Sequence, residues 1–141
     1  MVLLRSDQIK TLMLAYAAEI TRLHSRVREA FAHRSESPQK WKDWQRACED
    51  CHNPSPKLSW PVPYRGKSWL EAISSGEETA VEYALCFLEC RPYFFRSGYM
   101  YKDILRKCKK APMSQEHAER FRVISEKWEV YRKGRRRYWQ S

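Results

Sequence analysis

Apolar positions near the start of the chain recur at alternating steps of four and three. Ile9, Met13, Tyr16, Ile20, Leu23, Val27 and Ala30 trace one seam of a helix, with Lys10, Glu19, Arg22, Arg26 and Glu29 on the other side. With Ser6 as N-cap, the pattern predicts a helix over Asp7–His33. A seam of this kind packs on its own domain or, alternatively, pairs with a second copy as a dimer. The first arrangement is expected here, with the chain a monomer.

Arg34-Ser-Glu-Ser-Pro38 interrupts the periodicity, and Ser37 followed by Pro38 makes a cap and first-turn pair for a second helix. Trp41, Trp44, Cys48 and Cys51 then repeat the seam as far as His52, where Asn53-Pro54 ends it. Residues 53–66 carry four of the seven prolines, together with Leu58, Trp60, Val62 and Tyr64. Those apolar side chains predict a loop that packs along the domain. A short helix is expected over Ser68–Ser74, closed by Ser75-Gly76. Glu77-Glu78 opens another that runs to about Arg91 and is halted by Pro92. Val81, Ala84, Leu85, Phe87 and Leu88 make that fourth helix apolar on several sides, which places it centrally.

Ser97-Gly98 predicts the start of a fifth helix reaching about Lys109, and Ala111-Pro112 stops it. Ser114 caps a sixth, with Phe121, Ile124, Trp128 and Tyr131 as its buried stripe and Gly134 as its stop. The fold class is therefore all-α: one helical domain over residues 1–134, of five or six helices with a long first one, followed by a basic-aromatic tail over 135–141. At 141 residues with only four glycines, the chain can enclose a core without metal or disulfide support.

Charge changes the picture. Residues 1–90 hold 12 Lys/Arg and 12 Asp/Glu, whereas residues 91–141 hold 15 against five, so the whole net +10 lies in the last third. Ten of the 19 aromatic residues share that stretch. Cations interleaved with rings are the electrostatic footprint of a polyanion ligand. On the sixth helix, Glu116 with Arg120 and Glu129 with Lys133 predict a self-neutralised face. On the fifth, Lys102, Arg106 and Lys109 fall at i, i+4 and i+7, flanked by Lys107 and Lys110, with Asp103 the one acid among them. Arg135, Arg136 and Arg137, ahead of Trp139, repeat the combination of phosphate-binding forks and a stacking ring. Arg96-Ser97-Gly98 at a helix start adds a seat for an anion on backbone N–H groups.

Other chemistries find less support. Cys48-Glu-Asp-Cys51-His52 matches the haem-attachment pattern, but it sits inside a predicted amphipathic helix. Cys48, Cys51, Cys86 and Cys90, either as four thiolates or with His52 replacing one of them, make an alternative zinc set. The same cysteines continue apolar stripes, and the reading as core thiols is preferred, with no metal and no cofactor. The N-terminus has no basic leader with an apolar core, and five cysteines without such a signal point to reduced thiols in the cytoplasm. No phosphate-binding glycine loop, H-E-x-x-H or G-x-S-x-G occurs, and His24, His33, His52 and His117 have no near-sequence partner forming a nucleophile–base set, so a non-catalytic protein is expected. The expected partner is nucleic acid, DNA or RNA, held by its backbone, since no base-reading motif is present. An acidic protein partner, as for an immunity, inhibitor or assembly subunit, is the alternative, and an anionic membrane surface the third.

Overall fold

In a computed structural model the chain forms six α-helices and, among the described residues, no strand. Residues 4–54 and 59–140 are described, those from 136 onward by their backbone alone. The helices are α1 (Ser6–His33), α2 (Pro38–His52), α3 (Lys67–Ser74), α4 (Glu78–Cys90), α5 (Ser97–Lys110) and α6 (Gln115–Gln140). The all-α class and the long first helix are as the hydrophobic pattern predicts. Two compact units result: Met1–Pro61 with Pro92–Gly98, and Val62–Arg91 with Tyr99–Ser141.

The first unit is built on the α1–α2 pair. Ile9, Met13, Ala17 and Leu23 of α1 are buried, while Tyr16, Ile20, Val27 and Ala30 are half-buried. Arg5, not Ser6, is the N-cap of α1, because the Gln8 carboxamide accepts the Arg5 amide N–H at 2.9 Å and starts the helix one residue earlier. Ser37 caps α2 as expected, its hydroxyl accepting the Lys40 amide N–H at 3.1 Å, with Pro38 in the first turn. The α2 stripe is shallower than its spacing suggests. Ala47 is buried, Cys48 and Cys51 are half-buried, and Trp41 is exposed, stacking edge-on against Trp44, which in turn meets Phe31. From the proline-rich stretch, Trp60 packs edge-on against Tyr16 and Phe94, and these three rings tie it to the segment that follows Pro92. The expected packing of Leu58 lies outside the described residues.

In the second unit α4 is the centre, with Ala80, Val81, Ala84, Leu85, Cys86, Phe87 and Leu88 all buried. It packs against α3 and α6. The buried Trp69 of α3 satisfies its indole N–H on the Ala80 carbonyl at 3.2 Å. Between α3 and α4 the chain turns through Gly76 at φ +79°, a left-handed conformation that glycine adopts without steric cost. At the far end of α4, Pro92 bars right-handed helix from Arg91, which instead takes a left-handed conformation (φ 44°, ψ 63°) and returns its amide N–H to Phe87. Tyr101, Ile104, Leu105 and Cys108 form the buried face of α5. Ser114 caps α6 through the His117 amide N–H at 3.2 Å. Gly134 does not stop that helix, which continues to Gln140; the arginines after it favour helix enough to carry one interior glycine. The α6 stripe is also partly open, with Ile124 buried, Phe121 and Trp128 half-buried and Tyr131 exposed.

Candidate anion-binding surface

With Tyr101, Ile104, Leu105 and Cys108 buried, the α5 positions between them look outward. Lys102, Arg106, Lys109 and Lys110 are exposed there and Lys107 is half-buried. Arg106 meets Asp103 at 3.7 Å, both side chains well solvated. Among the described residues no carboxylate lies within ion-pair distance of Lys102, Lys107, Lys109 or Lys110. Three of these cations, Lys107, Lys109 and Lys110, occupy the last turn of α5, where the helix dipole favours positive charge. That field offsets part of their mutual repulsion, a stabilisation invisible until the end of the helix is located. Lys102 and Arg106, further up the helix, gain little from it.

The acid-first pairs expected on α6 are replaced by others. Arg120 turns away from Glu116 and reaches α4, where it donates to Glu82 and to Glu89, each at 2.6 Å. His117, buried beside it, contacts the same Glu82 through Nε2 at 2.9 Å. Burial works against the Arg120 charge, but the hydrogen bonds it donates to Glu89 and Glu82 overcome it and raise the guanidinium pKa above its usual value. Arg122 is neutralised by Glu119 and Glu126, and Arg132 by Glu129 at 3.3 Å. Carboxylates thus absorb the arginines in the middle of α6, and its uncompensated charge comprises exposed Lys127 and, toward the end, exposed Lys133 and Arg135. The side chains of Arg136, Arg137 and Trp139 lie outside the described residues.

Around Arg96 the backbone differs from the expected anion seat. The Ser97 amide N–H is taken by the Phe94 carbonyl at 2.9 Å, and the Ser97 hydroxyl accepts from the Phe94 amide N–H at 3.1 Å, which closes a local turn. Arg96 itself is exposed, at φ 67°, with its guanidinium over the Phe95 ring. The same turn leaves Tyr93 83% and Phe95 62% exposed.

One cluster escaped the sequence reading. The Arg91 guanidinium faces Tyr101, Tyr131 and Trp128, with its central carbon 4.8, 5.0 and 5.8 Å from their ring centres. Trp128 and Tyr131 look like a core stripe by spacing, and only the left-handed turn at Arg91 brings a cation over them. Burial raises the Tyr101 phenol pKa, and the Arg91 charge partly opposes that shift.

All five cysteines are free thiols. Among the described residues no three His, Cys, Asp or Glu side chains are gathered closely enough to hold a metal ion. The Cys86 thiol instead faces Glu82 at 3.6 Å and the Arg120 guanidinium at 3.9 Å, a cation where a second metal ligand would be needed. In the first unit, a groove of about 550 Å³ between α1 and α2 is lined by Arg26, Glu29, His33, Lys40, Asp43 and Arg46. Its charges are largely balanced, with Arg26 on Asp50 at 2.6 Å and His33 on Glu36 at 2.7 Å. No described helix is long and apolar enough to cross a membrane. No family model, curated protein or solved structure matches this chain.

Proposed function

We propose that this is a non-catalytic binding protein that holds nucleic-acid backbone with little sequence specificity. Its contact surface is the outer face of α5 (Lys102, Arg106, Lys107, Lys109 and Lys110), joined by the arginines that end the chain, Arg135 to Arg137. The observation that carries this reading is the contrast between the two basic helices. The arginines in the middle of α6 (Arg120, Arg122 and Arg132) are matched by carboxylates, with Lys127 the exception, whereas the cations of α5 are exposed and mostly unmatched. Unmatched cations in register suit a row of phosphates, each contact releasing condensed counterions. The seam of α1 supports a monomer, since Ile9, Met13 and Leu23 are buried in the chain's own fold.

A second reading, an interaction module that covers an acidic protein, draws on the exposed Tyr93 and Phe95 beside Arg96. These are residue types that dominate protein interfaces, held here on a hydrogen-bonded turn. Titrating the protein at low salt with duplex DNA, single strands, anionic vesicles and a poly-glutamate peptide separates the readings. Binding of nucleic acid in preference to the other two supports the proposal, and preference for the peptide supports the alternative.

A further inference from the structure

We infer that Arg91 and Tyr131 seat one unpaired nucleotide, the guanidinium edge taking a phosphate and the Tyr131 ring stacking on the base, so that single-stranded nucleic acid is the preferred ligand. This rests on the polyanion reading above and narrows it. The first support is the state of Arg91. Its left-handed backbone, just before Pro92, costs an arginine roughly 1–2 kcal/mol. In exchange, the side chain is held with its guanidinium over the Tyr101, Trp128 and Tyr131 rings. Among the described residues the five guanidinium donors of Arg91 meet neither a carboxylate nor any other acceptor. Such a pre-oriented fork matches the geometry of a phosphate.

The second support is the adjoining ring. Trp128 and Tyr131 are nearly parallel, 28° apart with ring centres separated by 5.6 Å, and Tyr131 remains 44% exposed. Tyr131 is the more exposed ring of this pair, and a base would stack on the part of it that Trp128 and Arg91 leave uncovered. Arg135 lies one helical turn beyond Tyr131 on the same side of α6, exposed and placed for the next phosphate. A duplex keeps its bases stacked on one another and can use only the cations. A single strand can also use the ring. A cationic guest is repelled by Arg91 already in place, and an acidic peptide has no ring to extend the stack.

The test compares oligothymidylate with a duplex of equal length, using the full chain at low salt. Wild-type protein should favour the strand. Tyr131→Leu should weaken strand binding roughly tenfold, the loss of one stacked base, and leave duplex affinity unchanged. Arg91→Lys keeps the charge and the backbone requirement but removes fork and flat face. It should weaken strand binding while the salt dependence stays as in wild type. A strand carrying a photoreactive base should crosslink to Tyr131, and far-ultraviolet dichroism should show both variants as helical as the parent. Equal losses on strand and duplex, or no loss with Tyr131→Leu, overturn the inference. Binding of duplex without strand overturns it and leaves the broader proposal standing. Binding of neither, or Tyr131-dependent binding of poly-glutamate instead, overturns both.

Discussion

Replacing Gly76 by alanine adds one methyl group at the turn between α3 and α4, and the structure sets its cost. A Cβ built there lies 2.5 Å from Pro112 Cγ and 2.6 Å from the Pro112 carbonyl oxygen. The proline ring and the backbone oxygen have no rotamer by which to retreat, so the turn or the segment after α5 must move. Overpacking of this kind costs about 1–3 kcal/mol. The left-handed φ of +79° adds about 1–2 kcal/mol for a residue with a Cβ. Reduced freedom of the unfolded chain returns about 0.4–1 kcal/mol. The net expectation is a loss of about 1–5 kcal/mol, read as a lower urea midpoint with an unchanged slope. Gly134→Ala is the matching control. That glycine lies inside α6 with nothing within 4 Å of its virtual Cβ and no positive φ, so alanine should stabilise by about 0.5–1 kcal/mol. Equal stability of Gly76→Ala and wild type would refute the close approach of Pro112, and destabilisation by Gly134→Ala would refute a continuous α6.

Arg120→Ala removes the cation that bridges Glu82 and Glu89, and should cost about 2–3 kcal/mol by urea denaturation, since these groups retain some solvent; a loss too small to measure would contradict the network. Cys86 and Cys108 are buried, so in the native protein they should resist a thiol reagent that labels them once urea unfolds the chain; rapid native labelling of both would contradict their burial. Burial pushes the Cys108 thiol from 9.0 up to about 12, so folding favours its protonated form. Stability from this group is complete below about pH 9 and is lost as pH rises toward about 12. Cys108→Ala, though less stable at neutral pH, should show a shallower alkaline fall in midpoint, and an unchanged fall would reject the assignment.

Most of the architecture was legible because the signals for it are local. Ser37-Pro38, Asn53-Pro54, Pro92 and Ser114 mark helix limits through the geometry of their own residues, and the structure follows them. Two local signals failed. Ser6 lost the cap to Arg5 through one side-chain bond from Gln8, and Gly134 was outweighed by its helix-favouring neighbours. The electrostatics were read less well, because ion pairs across helices have no sequence spacing. Arg120 pairs with residues 31 and 38 positions away instead of with Glu116, four away. The basic row of α5 survived that test because its positions fall opposite a buried face set by simple periodicity. The Arg91 cluster was hidden twice over, by a backbone conformation that no residue type announces and by rings that resemble core.

The central claim is that α5 binds phosphates by charge, and salt dependence measures that directly. If α5 and the end of α6 contact about five phosphates of a duplex, log K should fall with log salt at about −0.9 per phosphate. Raising salt from about 50 to about 200 mM should then weaken binding roughly 10²–10³-fold. With Lys102, Arg106 and Lys109 all changed to Gln, the slope should flatten by about three units and the same salt step should cost only roughly tenfold. Helix content should be unchanged, since all three side chains are exposed. A folded triple variant with the wild-type slope, or a wild-type protein whose duplex affinity ignores salt, would contradict the account.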